Sequence, residues 1–417
     1  MRLGIKPIKG RLDLRGKSLL LLALFPIFKF NVASMAIITI VVGSAYEFII
    51  KKEKFDREMI KYFILNSLFL LLLLFSLLYS SNISYGLKTT QNTLSLIILP
   101  FVLFFLFDTI SSNMVQRTLW AFTSACLVLT FYIYFEIFVS GVFTNITEFK
   151  FWKNPFRDVL FNLRFIDLHP SYYTIWILFS ILFLVSELFQ KKSFWAKAIM
   201  MMMILFFLAS AYLFSARAPL LGFVIALLFQ LIFQLPTARK RIYFTIFILL
   251  LATISVTQVS MLKTRFVDEF KAQEFRPPVG QAHTSTNIRI GIYMCVFEIF
   301  RKNIWFGVGV GDVKDELDLC FEQYHTRVYD TGYNTHSSYF NLLLSGGIVS
   351  LALFIGVMFY QYFLAIQHKN YLYLSFLILM SVVFLFENVL ARMHGALFYG
   401  LFNSLFIKQI LSEAEKK

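Results

Sequence analysis

The chain has 417 residues, of which 58% are hydrophobic and 15% are charged, and its mean hydropathy is +0.70. This composition excludes a water-soluble globular protein. In a soluble protein the formal net charge of +15 would indicate a nucleic-acid partner, but in a membrane protein basic residues first report topology. We therefore expect membrane lipids around the chain and no nucleic acid.

Twelve apolar runs approach the length of about 20 residues that a membrane-spanning helix needs. The first run is short and follows a basic tail with no small-residue cleavage site, which indicates a retained anchor. The tenth is long enough to contain a broken or re-entrant piece. The pattern predicts an all-α integral membrane protein with about twelve transmembrane helices. The runs lie at 16–28, 32–50, 59–80, 91–109, 117–139, 170–189, 196–214, 218–235, 242–260, 337–365, 369–388 and 394–411.

Lysine and arginine are concentrated on one side of this plan, and basic loops stay in the cytoplasm. They occur in both terminal tails and in the alternate connections at 51–61, 191–197 and 239–241. The opposite short loops hold single basic residues such as Lys29 and Lys88. One orientation thus fits the whole chain, with the N- and C-termini in the cytoplasm.

Two outer connections are too long and too polar to be simple turns. The predicted organisation is helices 1 to 9 over residues 1–260, with a smaller periplasmic loop at 140–169. A large periplasmic loop follows over 261–335, and helices 10 to 12 with a cytoplasmic tail fill 336–417. The function is expected on this outer side.

Arg217 lies in a very short outer turn between the seventh and eighth runs. A charge at this depth is costly, and a guanidinium group there can present a planar fork of donors to a phosphate. An arginine that merely reaches toward the membrane interface is an equally good interpretation.

Arg289 lies near the start of a stretch where Ile288, Ile292, Val296 and Ile299 recur at helical spacing. The stretch predicts an amphipathic helix at the outer membrane surface, capped by a hydroxyl side chain just before it. Free backbone amides in its first turn would favour an anion beside Arg289. Taken alone, a solvated arginine is the simpler interpretation.

His336 stands where the long outer loop re-enters the membrane. A neutral imidazole there can act as a general base toward a hydroxyl group, although a single histidine is more often structural. Spacing gives no reason to prefer it over the other outer histidines, which are His169, His283, His325 and His394.

Several other features stay open at this stage. The Gly307-Val308-Gly309 segment lacks the context of a phosphate loop and predicts a turn. The acidic residues at 312–318 allow a divalent-cation site but fit a solvated helix face better. Glu136 and Glu387 need partners, for which Arg164 and Arg392 are candidates. The outer cysteines Cys295 and Cys320 would be permitted to pair in an oxidising compartment.

In motif order the chain resembles the O-antigen ligase and polymerase superfamily of bacterial inner-membrane glycosyltransferases, over roughly residues 200–400. Arg289 is followed by Trp305 and a Gly-x-Gly turn, and His336 then opens a segment that ends in Gly346-Gly347. The chain departs from the family pattern at Trp305-Phe306 and Ser337. The departures concern the subfamily and the acceptor more than the reaction.

The resemblance implies a GT-C-like fold whose large periplasmic loop contains amphipathic helices. It implies metal-independent, cofactor-free transfer of a glycan, with inversion, from an undecaprenyl-diphosphate carrier to a hydroxyl of lipid A-core or of another glycan. Arg217 and Arg289 would bind the diphosphate and His336 would activate the acceptor, so these three form the predicted catalytic set. Arg164 and His169 are additional substrate-binding candidates near the sixth helix.

The leading hypothesis is an O-antigen ligase, since the chain length and the one dominant outer loop suit that member. A polymerase of the same superfamily would use the same donor with a lipid-linked acceptor. A flippase of lipid-linked saccharides is a weaker alternative, because paired repeats and broken midplane helices are not evident. A structural scaffold would not require Arg217 in so tight a turn.

Overall fold

The computed structural model describes residues 13–142, 155–166, 168–190, 193–214, 216–258, 277, 285–324 and 332–415. Within these ranges the regular structure is helical and contains no strand, as the apolar runs predict. The α-helices, in chain order, are α1 (Leu14–Ala23), α2 (Phe30–Ile50), α3 (Met59–Ser76), α4 (Ile83–Gln91), α5 (Ser95–Phe101), α6 (Ser112–Val139), α7 (Pro155–Phe161), α8 (Pro170–Gln190), α9 (Phe194–Phe214), α10 (Arg217–Gln234), α11 (Ala238–Gln258), α12 (Ser285–Lys302), α13 (Val313–Tyr324), α14 (Ser338–Gln367), α15 (Tyr371–Phe386) and α16 (Met393–Ala414).

Seven of the described helices are long and apolar enough to cross a membrane. They are α2, α3, α6, α8, α9, α10 and α14. An eighth span arises if α4 and the segment Ser95–Leu106, which are bent by 46° relative to each other, count as one. The protein is therefore an all-helical membrane protein, while the number of twelve spans stays a prediction.

The first run forms only the ten-residue helix α1 and a short 3-10 turn, and it is held by a buried arginine. Arg15 donates to Glu53 at 2.6 Å, to Asp13 at 3.0 Å and to the Leu106 carbonyl at 2.8 Å. A buried cation needs such partners to offset its desolvation. In the sequence Arg15 counted only as a basic topology signal, whereas in the fold it ties the N-terminus to two other segments.

The helices that carry the site pack through aromatic side chains. Phe402 of α16 lies 4.9 Å from Phe122 of α6 and 5.0 Å from Phe179 of α8, measured between ring centroids. Phe376 of α15 and Phe398 of α16 are 5.6 Å apart. Such offset aromatic contacts add specific geometry to the packing on which helix association in lipid depends. This core fixes the start of α8 and the end of α15, where the candidate site lies.

The helices α12 and α13 form a small unit of their own. The isoleucines and valine predicted to share a face of α12 are buried against Leu317 and Phe321 of α13. A disulfide joins Cys295 to Cys320, whose Cα atoms are 5.8 Å apart. The pairing that the sequence left open is thus present, and the predicted amphipathic helix over this stretch is confirmed.

The long tenth run is bent, as its length allows. In α14, Gly347 has a φ of +66°, which breaks the helical path. The turn before α13 fills the break, because Val308 N donates to the Leu344 carbonyl at 2.7 Å and Ile348 N donates to the Ile304 carbonyl at 2.8 Å. A Cβ atom on Gly347 would overlap the Trp305 carbonyl.

The same turn contacts the end of α3 on its other side. A Cβ atom on Gly309 would overlap the Ser80 hydroxyl, and one on Gly311 would overlap the Asn82 carbonyl. We call Gly307, Gly309, Gly311 and Gly347 the glycine joint. The Gly-x-Gly segment is therefore a turn, as predicted, and its glycines serve close backbone packing.

We expect Gly347→Ala to lower the stability of the folded protein by at least about 2 kcal/mol, since alanine must adopt a left-handed φ and clash with Trp305. The matched control is Gly356→Ala in the same helix, where an added Cβ meets nothing within 4 Å. Thermal melting in detergent should show a lower Tm for the first variant and no loss for the second. Equal Tm values would contradict the role of the joint.

Candidate active site

The segment that enters α14 is fixed to the outer end of α15. The Ser337 hydroxyl donates to the Phe384 carbonyl at 3.0 Å and accepts from Phe340 N at 3.3 Å, so it also caps α14. The Ser338 hydroxyl donates to the Glu387 carbonyl at 3.2 Å. Two adjacent serines thus hold His336 beside Glu387.

His336 adopts an unusual backbone conformation. Its φ is +46°, a left-handed value that is rare for a residue with a side chain. Its N–H donates to the Asn334 side-chain oxygen at 2.9 Å, which stabilises the turn. Its Nδ1 atom is buried and has no hydrogen-bond partner among the described residues. Strain of this kind is typical of functional positions, where the surroundings hold the residue in place.

Glu387 is the anion around which the basic side chains are arranged. Its Oε1 atom accepts a hydrogen bond from the Ser171 hydroxyl at 3.2 Å and lies 3.5 Å from Arg289 Nη2. The same Nη2 atom is 3.5 Å from the Phe386 carbonyl. These distances are long for charge-assisted hydrogen bonds, so Arg289 is held loosely. Glu387 pairs with Arg289, whereas the sequence offered Arg164 and Arg392.

Arg157 is a member of this cluster that the sequence analysis missed. It lies in the first turn of α7, and its charge interacts with those of Glu387, Arg217 and Arg289. One turn later, the Phe161 ring stacks edge-on against His169 at 5.2 Å. Burial lowers the pKa of Arg157 from its usual value. The one local signal was Pro155, which favours the first position of a helix.

Arg217 begins α10 and the preceding helix ends at Phe214, so the very short connection predicted around it is present. It is half-buried and close enough to Arg157 for the two charges to repel. Two like charges kept this close favour an anion between them. Arg217 and Arg289 thus both lie within electrostatic reach of Arg157, while their shared diphosphate site stays a prediction.

Arg164 is placed differently. Its guanidinium group is 66% exposed, and its Nε atom lies 3.6 Å from Glu136. The pairing of Arg164 with Glu136 that the sequence allowed is thus observed. A partner that is exposed and already paired makes a weaker anion binder than Arg157 does.

The two site histidines are uncharged at neutral pH. Burial lowers the pKa of His336 to about 4, with further lowering from Arg289, His169 and Arg392. Burial and the charges of Arg157 and Arg392 lower the pKa of His169 to about 4 as well. The His169 Nδ1 atom accepts from Ser171 N at 3.2 Å, which fixes its ring at the start of α8.

A cavity of about 480 Å³ opens beside His336. His169, Glu387 and Arg392 also line it, together with residues of α4 and α13. The remaining outer histidine within the described ranges, His394, packs between Phe30 and Trp176 and is 6% exposed. The candidates His283 and His325 lie outside the described residues.

The acidic residues at 312–318 are used in local contacts. The Asp312 carboxylate accepts from Ser81 N and Asn82 N, both at 2.7 Å, and Asp318 pairs with Lys314. Among the residues that the structure describes, no three His, Cys, Asp or Glu side chains are grouped as metal ligands would be.

Comparison with known proteins identifies one segment. A family model described as O-antigen ligase matches residues 201–355. The match contains Arg217, Arg289 and His336, while Arg157 and Glu387 lie outside it. No curated protein matches the chain significantly.

We expect Glu387→Gln to tighten the binding of inorganic diphosphate about fivefold, because the carboxylate competes for Arg289 and one half-exposed charge is worth about 1 kcal/mol. Calorimetric titration of the detergent-solubilised chain measures this affinity. Glu136→Gln is the matched control, with a similar carboxylate paired to Arg164, and should leave the affinity unchanged. An unchanged affinity in Glu387→Gln would contradict the assignment.

Proposed function

We propose that this chain, whose residues 201–355 match a family model described as O-antigen ligase, is an O-antigen ligase. It transfers a glycan from an undecaprenyl-diphosphate carrier to a sugar hydroxyl of lipid A-core oligosaccharide. The reaction takes place on the periplasmic side of the bacterial inner membrane, inverts the anomeric carbon and requires no metal.

The arginine cluster beside an uncharged histidine carries this proposal. Arg157, Arg217 and Arg289 come from α7, α10 and α12, and the charges of Arg217 and Arg289 both act on Arg157, as do those of Glu387 and Asp158. A diphosphate is an anion that bidentate guanidinium groups bind well, and this cluster offers three of them.

The chemistry follows from these groups. The diphosphate displaces the loosely held Glu387 side chain from Arg289 and binds the three guanidinium groups. The His336 imidazole takes the proton of the acceptor hydroxyl as its oxygen attacks the anomeric carbon. The bond from that carbon to the diphosphate oxygen breaks, and the electron pair leaves with the diphosphate. The arginines stabilise this developing charge, a role that divalent metal ions fill in other enzymes.

Topology supports the outer location of the site. We propose twelve spans. Seven are the long apolar helices, and five more are α1 with its 3-10 turn, the bent pair of α4 and α5, α11, α15 and α16. Basic residues then collect on the side of both termini, and the disulfide in α12 and α13 lies in the oxidising periplasm. In the proposed organisation, transmembrane spans 1 to 9 lie in residues 1–260, the large outer loop lies in 261–335, and spans 10 to 12 lie in 336–417.

A polymerase of the same superfamily is the second candidate, because the donor site would be the same. The two activities differ only in the acceptor, which is lipid A-core for the ligase and another lipid-linked glycan for the polymerase. A flippase must carry its cargo across the membrane, whereas the clustered arginines lie at the outer helix ends. This favours the enzymes.

Deletion of the gene should leave lipid A-core without attached glycan while long polymer accumulates on the lipid carrier. Gel analysis of lipopolysaccharide and of the carrier-linked pool measures both. Core that carries a single repeat unit would assign the polymerase activity instead. Unchanged glycan in both pools would contradict both enzymatic proposals.

Complementation tests the residues in the same strain. His336→Ala and Arg217→Ala should each reduce transfer at least about 100-fold at a normal membrane level, because the base or a diphosphate ligand is lost. Arg239→Ala, an exposed arginine at the start of α11, is the control and should restore wild-type glycan. Chelators should not inhibit transfer. Full activity of His336→Ala would remove it as the base.

The pH dependence should separate the free enzyme from the donor complex. The base must be neutral, so the rate falls as pH falls through the pKa of His336. That pKa is about 4 in the free protein, and a bound diphosphate raises it by adding negative charge. We expect the acid limb of kcat/KM near pH 4 and that of kcat at higher pH.

Steady-state kinetics of the reconstituted chain measure both limbs. His169→Gln is the control for the second buried histidine, and both limbs should persist in it. An acid limb of kcat/KM at pH 6.5 or above would contradict the buried, uncharged state of the base.

A further inference from the structure

Two buried amide side chains each have one polar atom without a partner. Asn341 Nδ2 and Asn388 Oδ1 have no hydrogen-bond partner among the described residues, and both residues are 7% exposed. Both side chains line the same cavity as His336 and Glu387. Leaving a buried polar atom without a hydrogen bond is unfavourable, so two such atoms at one cavity point to a ligand that satisfies them.

The two atoms define the chemistry of that ligand. Asn341 offers a donor and Asn388 an acceptor, and together they match hydroxyl groups, which both accept and donate. A phosphate would satisfy the donor but would be repelled by the amide oxygen. Arg157, Arg217 and Arg289 are not among the residues that line the cavity. Its lining contains Arg392 together with Glu387, so the cavity differs from the arginine cluster in the residues that form it.

One part of the cavity wall is uncharged, polar and aromatic. It consists of Tyr85, Thr89 and Asn92 from α4 and its C-terminal end, with Tyr333 from the segment before His336. Hydroxyl, amide and aromatic groups of this kind suit a sugar, which presents both hydroxyls and an apolar face. Lys314 lines the cavity too, but its ammonium group is paired with Asp318.

The fold holds this wall at a fixed distance from His336. Asp312 accepts from the backbone at the start of α4, and Gly311 N donates to the Ser80 hydroxyl at 3.1 Å. The glycine joint connects the same turn to α14. The wall and the general base are thus parts of one rigid arrangement, as a subsite for an oriented reactant requires.

We propose that this cavity is the acceptor subsite, in which Asn341 and Asn388 hold hydroxyl groups of the acceptor sugar beside His336. The proposal rests on the glycosyl-transfer function proposed above. It adds that donor and acceptor occupy separate places, with the diphosphate among the arginines and the acceptor sugar between α4 and α14. Asn341 and Asn388 bind substrate and take no part in proton transfer.

The test uses the full chain in lipid nanodiscs, with undecaprenyl-diphosphate-linked glycan and lipid A-core oligosaccharide from the source bacterium. Asn341→Ala and Asn388→Ala should each raise the KM for the acceptor about 3- to 10-fold and leave the KM for the donor within twofold of wild type. Asn388→Asp keeps the side-chain oxygen and should retain a nearly wild-type acceptor KM. Where an alanine variant does not fold, Asn341→Asp, of the same size, replaces it.

Two controls frame the result. Ser404 does not line the cavity, and its buried hydroxyl has no hydrogen-bond partner among the described residues. Ser404→Ala should therefore change neither the acceptor KM nor the donor KM. Arg157→Gln should show the reverse pattern, with a raised KM for the donor. An unchanged acceptor KM in both asparagine variants, or a raised donor KM, would overturn the acceptor subsite. Absence of transfer by the wild-type chain would instead overturn the proposed function.

Discussion

The site depends on a half-buried carboxylate, Glu387, around which basic side chains are gathered. Arg289 touches it at 3.5 Å, and Arg157 and Arg392 act on it through their charges. Without Glu387 the positive charges of the arginines would repel one another at these helix ends, because little solvent is present to screen them. With Glu387 this repulsion is reduced. We propose that the diphosphate replaces the Glu387 carboxylate at Arg289 when the donor binds.

The rest of the architecture keeps this arrangement in place. Ser337 and Ser338 fix the His336 segment to α15, and the kink at Gly347 lets the turn before α13 pack into α14. These contacts hold the His336 segment while Nδ1 of the imidazole has no partner among the described residues. The proposed base, the proposed anion site and the polar cavity therefore lie where α8, α12 and α14 begin and α15 ends. Positioning and charge placement of this kind supply much of the rate enhancement in group transfer.

Much of the helix plan follows from the sequence, because hydropathy and periodicity are local properties. The buried face of α12 and the break in the tenth run are examples, and Arg217, Arg289 and His336 stand out by their unusual positions. The pair of Arg289 and Glu387 is separated by 98 residues, and Arg157 has no spacing that links it to either. Such contacts depend on which helices pack against each other. The local patterns of a single sequence do not show this packing.

A structure of the full chain in a lipid nanodisc with a bound undecaprenyl-diphosphate-glycan analogue tests the central claim most directly. We expect the diphosphate to contact Arg157, Arg217 and Arg289, with the Glu387 side chain moved away from Arg289. The anomeric carbon should face His336. A diphosphate bound elsewhere, with the contact between Glu387 and Arg289 intact, would contradict the claim.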